Sequence, residues 1–342
     1  MKTLVTGATG LVGSHVVRKL IAGGHAVRVL VRSRSKLDNL EGLEIEKAEG
    51  DVTSKESLRA AVEGCEALCH TAGVASWSPV DATRVHVVNV EGTRNALEAA
   101  LEHKLRRVVV TASVAVIGGT AQPEILTEDS PWSPAAVSAA YSASKRAGLM
   151  VALQIARKGL PVVCVSPALV LGPGDIYASS STIALAVARR RMSAYVEGGI
   201  SVVDVRDVAH GHVAALERGT PGEHYLLGGE NLTMTTFMAR IAALAGVPLP
   251  RRVPFSLAWP VAAMADLRAR FTGRRQPLSL DLLRASSLYT FVSSAKAERE
   301  LGYRYRSAET SLRDTLRYFL ARGRLKATTP ELRRLADEDG AV

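Results

Sequence analysis

Aromatic residues and cysteines are scarce in this chain of 342 residues. Phe, Trp and Tyr make up only 5% of it, which leaves few rings on which nucleic acid bases could stack. The three cysteines are too few for a disulfide framework, and no histidine or cysteine cluster completes a zinc site around them. We therefore expect reduced thiols, no metal site and no nucleic acid partner.

Long hydrophobic runs are also absent, because no apolar stretch reaches the roughly 18 residues that a membrane span needs. A hydrophobic share of 47% and a charged share of 22% are typical of a globular protein. A strand pattern begins at Lys2, so we expect no signal peptide and a cytoplasmic protein. The net charge of +10 favours an anionic cofactor, an anionic substrate or a membrane surface as a binding partner.

The clearest pattern lies at the start of the chain, where an aliphatic and β-branched run from Lys2 to Thr6 leads into three glycines. Gly7, Gly10 and Gly13 are spaced Gly-x-x-Gly-x-x-Gly, and an amphipathic helical pattern follows them. Strand, glycine turn and helix in this order are typical of a dinucleotide-binding motif. Gly7 would turn the chain, Gly10 would admit a pyrophosphate, and Gly13 would let the helix pack closely on the strand.

The end of the second predicted strand, His25 to Val31, indicates which nucleotide is bound. A carboxylate there would bind the ribose hydroxyls of NAD, but this chain has Arg32 and Arg34. Arginine can bind the 2′-phosphate of NADP through two parallel hydrogen bonds. A solvated basic turn would have the same sequence, but the preceding motif favours NADP bound by Arg32 and Arg34. NAD is kept as the alternative cofactor.

Strand and helix patterns alternate through residue 115, which predicts an α/β fold with a doubly wound, mainly parallel sheet of the Rossmann type. After residue 175 the pattern becomes mixed. We predict an NADP-binding Rossmann domain over 1–175 and a smaller mixed α/β substrate domain over 176–325. Residues 202–217 are expected to return to the first domain, so the two interleave. The polar tail over 326–342 is expected to fray.

Ser113, Tyr141 and Lys145 form a candidate catalytic group. Ser113 follows the fifth predicted strand, and Tyr141 and Lys145 lie one turn apart on the next helix. A tyrosine can give a proton to a carbonyl that accepts a hydride, but its pKa near 10 is too high for easy exchange. A lysine ammonium about 4 Å away would lower that pKa by up to about three pH units.

Six motifs stand in a fixed order: TGATGLVG at 6–13, GDV at 50–52, HTAG at 70–73, VNVEGTRN at 88–95, TASVAVIG at 111–118 and YSASK at 141–145. Together they resemble the motifs of the extended short-chain dehydrogenase/reductases over at least residues 1–325. SPALVLGPGD at 166–175 and YLLGGENLT at 225–233 resemble its dihydroflavonol-reductase-like branch. That branch includes the bacterial hopanoid-associated sugar epimerase proteins.

The resemblance implies a set of site residues. Catalysis would fall to Ser113, Tyr141 and Lys145. Tyr141 would also contact the cofactor, together with Gly7, Thr9, Gly10, Leu11, Val12, Arg32, Asp51, Val52, Ala72, Gly73, Lys145 and Pro167. The substrate is read by the variable second domain, so the sequence does not identify it.

Three functions remain open at this point. The first is NADPH-dependent reduction of a ketone or aldehyde on a small or lipophilic substrate. The second is an NAD-dependent nucleotide-sugar epimerase or dehydratase, which would use the same catalytic group and keep its cofactor bound. The third is a non-catalytic binding protein on a Rossmann fold, which the presence of Tyr141 and Lys145 disfavours. The basic turn at Arg32 favours the reductase, acting as a monomer or homodimer.

An apolar stretch from Pro254 to Met264 lies between two groups of arginines. The groups are Arg251 and Arg252 before it, and Arg268, Arg270, Arg274 and Arg275 after it. The stretch is too short to span a bilayer. We favour an amphipathic helix packed on the substrate domain. The alternative is a peripheral membrane contact, with apolar side chains inserted and arginines on anionic headgroups.

Overall fold

The computed structural model describes residues 1–132, 139–276 and 278–338 of the chain. Two sheets and a short strand pair contain all strands of that part. The strands are β1 (Lys2–Thr6), β2 (Ala26–Val31), β3 (Glu46–Glu49), β4 (Ala67–His70), β5 (Arg107–Thr111), β6 (Ile125–Leu126), β7 (Val162–Pro167), β8 (Leu169–Leu171), β9 (Ala194–Tyr195), β10 (Gly199–Asp204), β11 (His224–Leu227), β12 (Glu230–Thr233), β13 (Arg251–Arg252) and β14 (Tyr289–Val292).

Helices cover both faces of the larger sheet and surround the smaller one. They are α1 (Leu11–Ala22), α2 (Lys55–Val62), α3 (Ala82–His86), α4 (Gly92–Glu102), α5 (Ala140–Ala156), α6 (Thr182–Ala188), α7 (Val205–Arg218), α8 (Met234–Ala245), α9 (Phe255–Thr272), α10 (Leu280–Ser286), α11 (Ala295–Leu301), α12 (Ala308–Ala321) and α13 (Pro330–Asp337). In the described part of the chain, no helix combines the length and the hydropathy that crossing a membrane would need.

The larger sheet has seven strands in the order β11-β7-β5-β4-β1-β2-β3, and every neighbouring pair is parallel. The order reverses between β1 and β4, where Thr6 lies opposite His70. Ligands of doubly wound sheets bind in the crevice at such a reversal. This topology confirms the predicted doubly wound Rossmann sheet.

Two hydrophobic clusters hold this sheet between its helices. One cluster joins β1, β4 and β5 to α2, α4 and α5, and the other joins the opposite face to α1 and α7. Leu4, Val5 and Leu68 are fully buried, as expected of parallel strands covered on both faces. The first turn of α1 thereby lies directly beyond the carboxyl end of β1.

The expectation that residues 202–217 return as a whole to the Rossmann sheet is wrong for their first part. β10 lies in the smaller sheet, where it pairs with β8, β12 and β14. The edge of the larger sheet beside β7 is occupied instead by β11. Only α7 packs on the larger sheet, where it contacts α1. The chain therefore leaves one sheet at Pro167 and comes back to it at His224.

The expected fraying of the tail is wrong for Pro330–Asp337, which form α13. The hydroxyl of Thr329 caps this helix by accepting a hydrogen bond from the Leu332 amide at 3.2 Å. Leu332 and Leu335 lie three residues apart on one helix face and are buried against α12 and its neighbours. The two leucines explain why a largely polar segment folds. Residues 339–342 of the predicted tail lie outside the described residues.

We expect Leu332→Ala to lower the free energy of unfolding by about 2–5 kcal/mol, because the change removes a fully buried leucine. Urea denaturation followed by circular dichroism measures the effect. Arg334→Ala, an exposed change on the same helix, is the control and should stay close to the unsubstituted protein. Equal stability of the two variants would show that α13 does not pack as described.

Candidate active site

The glycine turn after β1 brings α1 unusually close to the strand. Gly7 has a φ of +70°, and a Cβ at this position would lie 2.6 Å from the backbone nitrogen of Ala72. A Cβ at Gly13 would lie 2.3 Å from the carbonyl oxygen of Gly7. Gly10 precedes the first helical residue, so the unpaired amides of the first turn of α1 face the crevice. This cradle fits the diphosphate of a dinucleotide.

A second contact fixes the same turn, and the sequence pattern gave no indication of it. The buried side chain amide of Asn39 donates to the carbonyl oxygens of Thr9 at 3.2 Å and Gly174 at 2.9 Å. These bonds connect the glycine turn to the end of the segment that follows β8. Leu11 is buried and Val12 is partly buried, so both contribute packing at the start of α1.

The basic residues after β2 line a cavity of about 570 Å³. Its walls are Arg32, Ser33, Arg34, Glu49, Gly50 and Asp51. Arg32 and Arg34 are exposed, and neither makes an ion pair with an acidic side chain within the described ranges. The Asp51 carboxylate is bound to a neighbouring residue, because its Oδ1 accepts hydrogen bonds from the amide and the hydroxyl of Thr53, both at 2.9 Å. The cavity thus offers two free guanidinium groups to an anion.

The other nucleotide-side positions lie around the crevice between β1 and β4. Val52 is buried against Gly92 of α4. The Ala72 amide points to the hydroxyl of Thr6 at 3.4 Å, and Pro167 ends β7 on the far side of β5. A Cβ at Gly73 would lie 3.1 Å from the ammonium nitrogen of Lys145, so the nucleotide turn and the candidate catalytic group touch.

Ser113, Tyr141 and Lys145 are brought together at the carboxyl end of β5. The Ser113 hydroxyl lies beside that of Tyr141, where a hydrogen bond from it favours the ionised form of the tyrosine. The Lys145 ammonium donates to the carbonyl oxygen of Thr111 at 3.1 Å. Burial lowers the pKa of Lys145 to about 8, so part of its population is neutral at mildly alkaline pH.

The expectation that Lys145 lowers the pKa of Tyr141 is wrong for this structure. Burial raises the pKa of Tyr141 above its usual value near 10, and the hydrogen bond to Ser113 opposes that rise. The Lys145 ammonium donates instead to the carbonyl oxygen of Thr111 at 3.1 Å. Tyr141 is therefore held as a neutral hydroxyl, the form that can donate a proton.

Trp77 forms a wall over the candidate proton donor. Its ring lies 5.1 Å from the ring of Tyr141, centroid to centroid, with an angle of 59° between the planes. Both residues are half-buried, and the loop that carries Trp77 follows β4. A substrate that reaches Tyr141 meets an aromatic surface beside the hydroxyl.

Asn89 positions this group, and the sequence pattern did not assign it a role. It lies in a π-helical turn, Val87–Glu91. Its side chain amide accepts a hydrogen bond from the Val74 amide at 2.8 Å and donates one to the Val74 carbonyl oxygen at 3.0 Å. The same amide donates to the hydroxyl of Ser144 at 3.0 Å. The only signal in the sequence is an asparagine on the buried side of an amphipathic helix. Asn89 ties the loop before Trp77 to the helix that carries Tyr141.

Two buried histidines beside the site are structural. His70 contacts the hydroxyls of Thr6 at 2.8 Å and Thr93 at 3.1 Å. His212 contacts the hydroxyl of Thr111 at 2.8 Å and the carbonyl oxygen of Val208 at 2.8 Å. Burial lowers the pKa of His70 to about 3 and that of His212 to about 4. Both rings are therefore neutral and fully hydrogen-bonded near pH 7.

Comparison with known proteins agrees with this geometry. The model of the NAD dependent epimerase/dehydratase family matches residues 3–228. A putative dihydroflavonol 4-reductase of Synechocystis sp. is 35% identical over 328 residues, which cover 94% of this chain and 95% of that protein. Sterol demethylase protein B of Methylococcus capsulatus is 36% identical over 330 residues, or 94% and 99% of the two chains.

A solved structure is also similar along almost its full length. The crystal structure of gox2253 is 38% identical, with a TM-score of 0.84, and the match covers 95% of this chain and 99% of that one. The protein belongs to the NAD dependent epimerase/dehydratase family. It is an NAD(P)-dependent oxidoreductase of the extended short-chain dehydrogenase/reductase type.

The neutral histidines predict a pH dependence of stability. Burial also lowers the pKa of His224 to about 4. Below pH 6.5 the folded state therefore keeps three histidines unprotonated, namely His70, His212 and His224, while the same histidines of the unfolded chain take up protons. The free energy of unfolding should fall between pH 6.5 and 5, by up to about 1.4 kcal/mol per pH unit for each histidine. Urea denaturation at several pH values measures this slope.

His212→Gln should reduce that slope, because it removes one of the three groups. The control is His86→Gln, which changes an exposed histidine outside this group of three and should affect the slope less than His212→Gln. Carboxyl groups contribute mainly below pH 5, so the chosen window separates the two effects. A slope that is the same in all three proteins would contradict the neutral, buried state of His212.

Proposed function

We propose that the protein reduces a ketone or an aldehyde on a small or lipophilic substrate, with NADPH as the exchangeable hydride donor. The observation that carries the proposal is the pair of arginines, Arg32 and Arg34, that face one cavity without an acidic partner in the described part of the chain. They suit the 2′-phosphate of NADP. The neighbouring carboxylate Asp51 is engaged with Thr53, which leaves it less available to ribose hydroxyls.

The cofactor would lie along the crevice from the basic cavity to the candidate catalytic group. Gly7, Gly10 and the first turn of α1 would hold its diphosphate, and Lys145 would hold the ribose next to the nicotinamide. When bound, NADPH supplies the hydride for the carbonyl carbon. The fit rests on the glycine cradle, where a Cβ would collide with backbone, and on the contact of Gly73 with Lys145.

The side chains of this protein would then supply the proton that the reduced carbonyl oxygen needs. The neutral hydroxyl of Tyr141 donates it to the carbonyl oxygen of the substrate, so an alcohol forms. Ser113 donates a hydrogen bond to the same oxygen and orients it. The phenolate that remains on Tyr141 then recovers a proton from solvent. Trp77 excludes water from one side of the tyrosine.

A lipophilic substrate is supported by the apolar wall at Trp77 and by the likeness to sterol demethylase protein B, a protein named for a sterol. The alternative activity, epimerisation or dehydration of a nucleotide sugar with tightly held NAD, is supported by the family description. Cofactor analysis of the purified protein distinguishes the two. Copurified NAD without NADPH oxidation on any ketone or aldehyde of a test panel would favour the alternative.

Tyr141→Phe should lower kcat by about a hundredfold or more, because it removes the proton donor and leaves the ring in place. The dissociation constant of NADPH should stay nearly unchanged, which fluorescence titration measures. Tyr305→Phe, which changes an exposed tyrosine on another surface, is the control and should keep full activity. Turnover of Tyr141→Phe within about tenfold of the unsubstituted protein would rule out the proton-donor role.

Arg32→Asp should raise the KM for NADPH by about tenfold or more, because a charge-assisted hydrogen bond to the 2′-phosphate is lost and a repulsive charge is gained. The KM for NADH should change far less. Arg157→Asp makes the same charge change at an exposed site away from the cavity and serves as the control. A preference of the unsubstituted protein for NADH would contradict the assignment to Arg32 and Arg34.

A further inference from the structure

Helix α9 is packed with its small side chains inward and its large apolar side chains outward. Ala262 and Ala269, seven residues apart, are its buried residues. A line of large side chains, here called the outer stripe, consists of Leu257, Val261, Met264, Leu267 and Phe271, with exposed fractions of 67%, 62%, 66%, 49% and 83%. These positions fall on one face of a helix. A helix that only packs on the protein would have the opposite arrangement.

Positive charge surrounds both ends of the outer stripe. Arg251 precedes α9, and Arg268, Arg270 and Arg274 lie on or after its last two turns. All four are exposed, and none makes an ion pair with an acidic side chain in residues 1–132, 139–276 and 278–338. Nearby acids have other partners. Asp266 accepts from the Leu280 amide at 3.2 Å, Glu197 pairs with Arg252 at 3.4 Å, and Asp281 pairs with Arg284 at 3.8 Å.

An exposed apolar face with positively charged ends is complementary to a partner that is both apolar and negatively charged. A second copy of this chain would bring the same arginines against these, and like charges would repel. An anionic lipid surface would accept the apolar side chains among its acyl chains and the arginines among its headgroups. We propose that α9 docks the protein on an anionic lipid bilayer, with the outer stripe inserted and the helix parallel to the surface.

The docked surface is directly connected to the candidate active site. Arg275, just after α9, forms an ion pair with Asp81 at 2.7 Å, and the Ser279 hydroxyl donates to the Trp77 carbonyl oxygen at 2.8 Å. Trp77 in turn lies against Tyr141. Docking would therefore bring a lipid-dissolved ketone or aldehyde close to the wall of the candidate site. This last step rests on the proposed reductase function, whereas the docking itself does not.

Flotation with phosphatidylcholine vesicles, with and without phosphatidylglycerol, tests the proposal on the full-length protein. We expect the protein to float with anionic vesicles at low salt, to float less at high salt, and to stay unbound with neutral vesicles. The double variant Leu257→Ser/Phe271→Ser should bind anionic vesicles with an affinity about tenfold lower or weaker still, because two inserted apolar side chains are lost. Arg268→Glu/Arg270→Glu should abolish the preference for anionic vesicles.

The matched control is Ile125→Ser/Met150→Ser, which changes two exposed apolar residues on other surfaces and should float like the unsubstituted protein. Equal unfolding temperatures of the variants establish that they are folded. Absence of binding to anionic vesicles at low salt would overturn the proposal. So would self-association in analytical ultracentrifugation that disappears in Leu257→Ser/Phe271→Ser, since it would assign the outer stripe to a second copy.

Flotation measures only the binding of the protein to vesicles, so its result does not depend on catalysis. Flotation failure together with NADPH-dependent reduction of soluble ketones would overturn the docking surface and leave the proposed function standing. Normal flotation without any reductase activity would overturn the proposed function and leave the docking surface standing.

Discussion

The close approach of α1 to β1 is the constraint on which the rest of the site depends. It exists because Gly13 has no side chain to collide with the carbonyl oxygen of Gly7, 2.3 Å from where a Cβ would stand. The same approach seats α1 against α7, whose His212 holds the hydroxyl of Thr111. The carbonyl of Thr111 in turn accepts the Lys145 ammonium. A single glycine contact therefore shapes the candidate diphosphate cradle and, through α7, supports Lys145 of the candidate catalytic group.

The opposite side of the site is assembled by side chain amides. Helix α5 begins without a side chain cap, so its first turn needs support from elsewhere. Asn89 supplies it by bonding Ser144 of α5 and the backbone of Val74 at once. Because a buried amide that loses its partners costs about 1–3 kcal/mol, this connection is costly to break. The loop before Trp77 is consequently held against the helix that carries Tyr141.

The parts of this architecture that the sequence predicts are those set by neighbouring residues. In the larger sheet, β1, β2, β4, β5 and β7 are short, mainly apolar runs next to turn residues, and Gly7 follows β1 directly. What it does not predict depends on distant partners. Val202 and Val203 are as apolar as any strand of the larger sheet, yet they pair with β8 and β12. Asn39 bonds Gly174 across 135 positions, and the direction of Lys145 depends on Thr111.

Helix α9 is a further feature whose surroundings the sequence pattern does not predict. Periodicity identifies a face of large apolar residues, and the usual assumption assigns that face to the interior. Here the buried residues of the helix are alanines, and Ala262 packs against Val196 and Leu283. The bulky residues lie outward between arginines, and the segment just after this helix is tied through Asp81 and Ser279 to the wall of the candidate active site. A surface of this kind is costly to leave in water, which argues that its exposure serves binding.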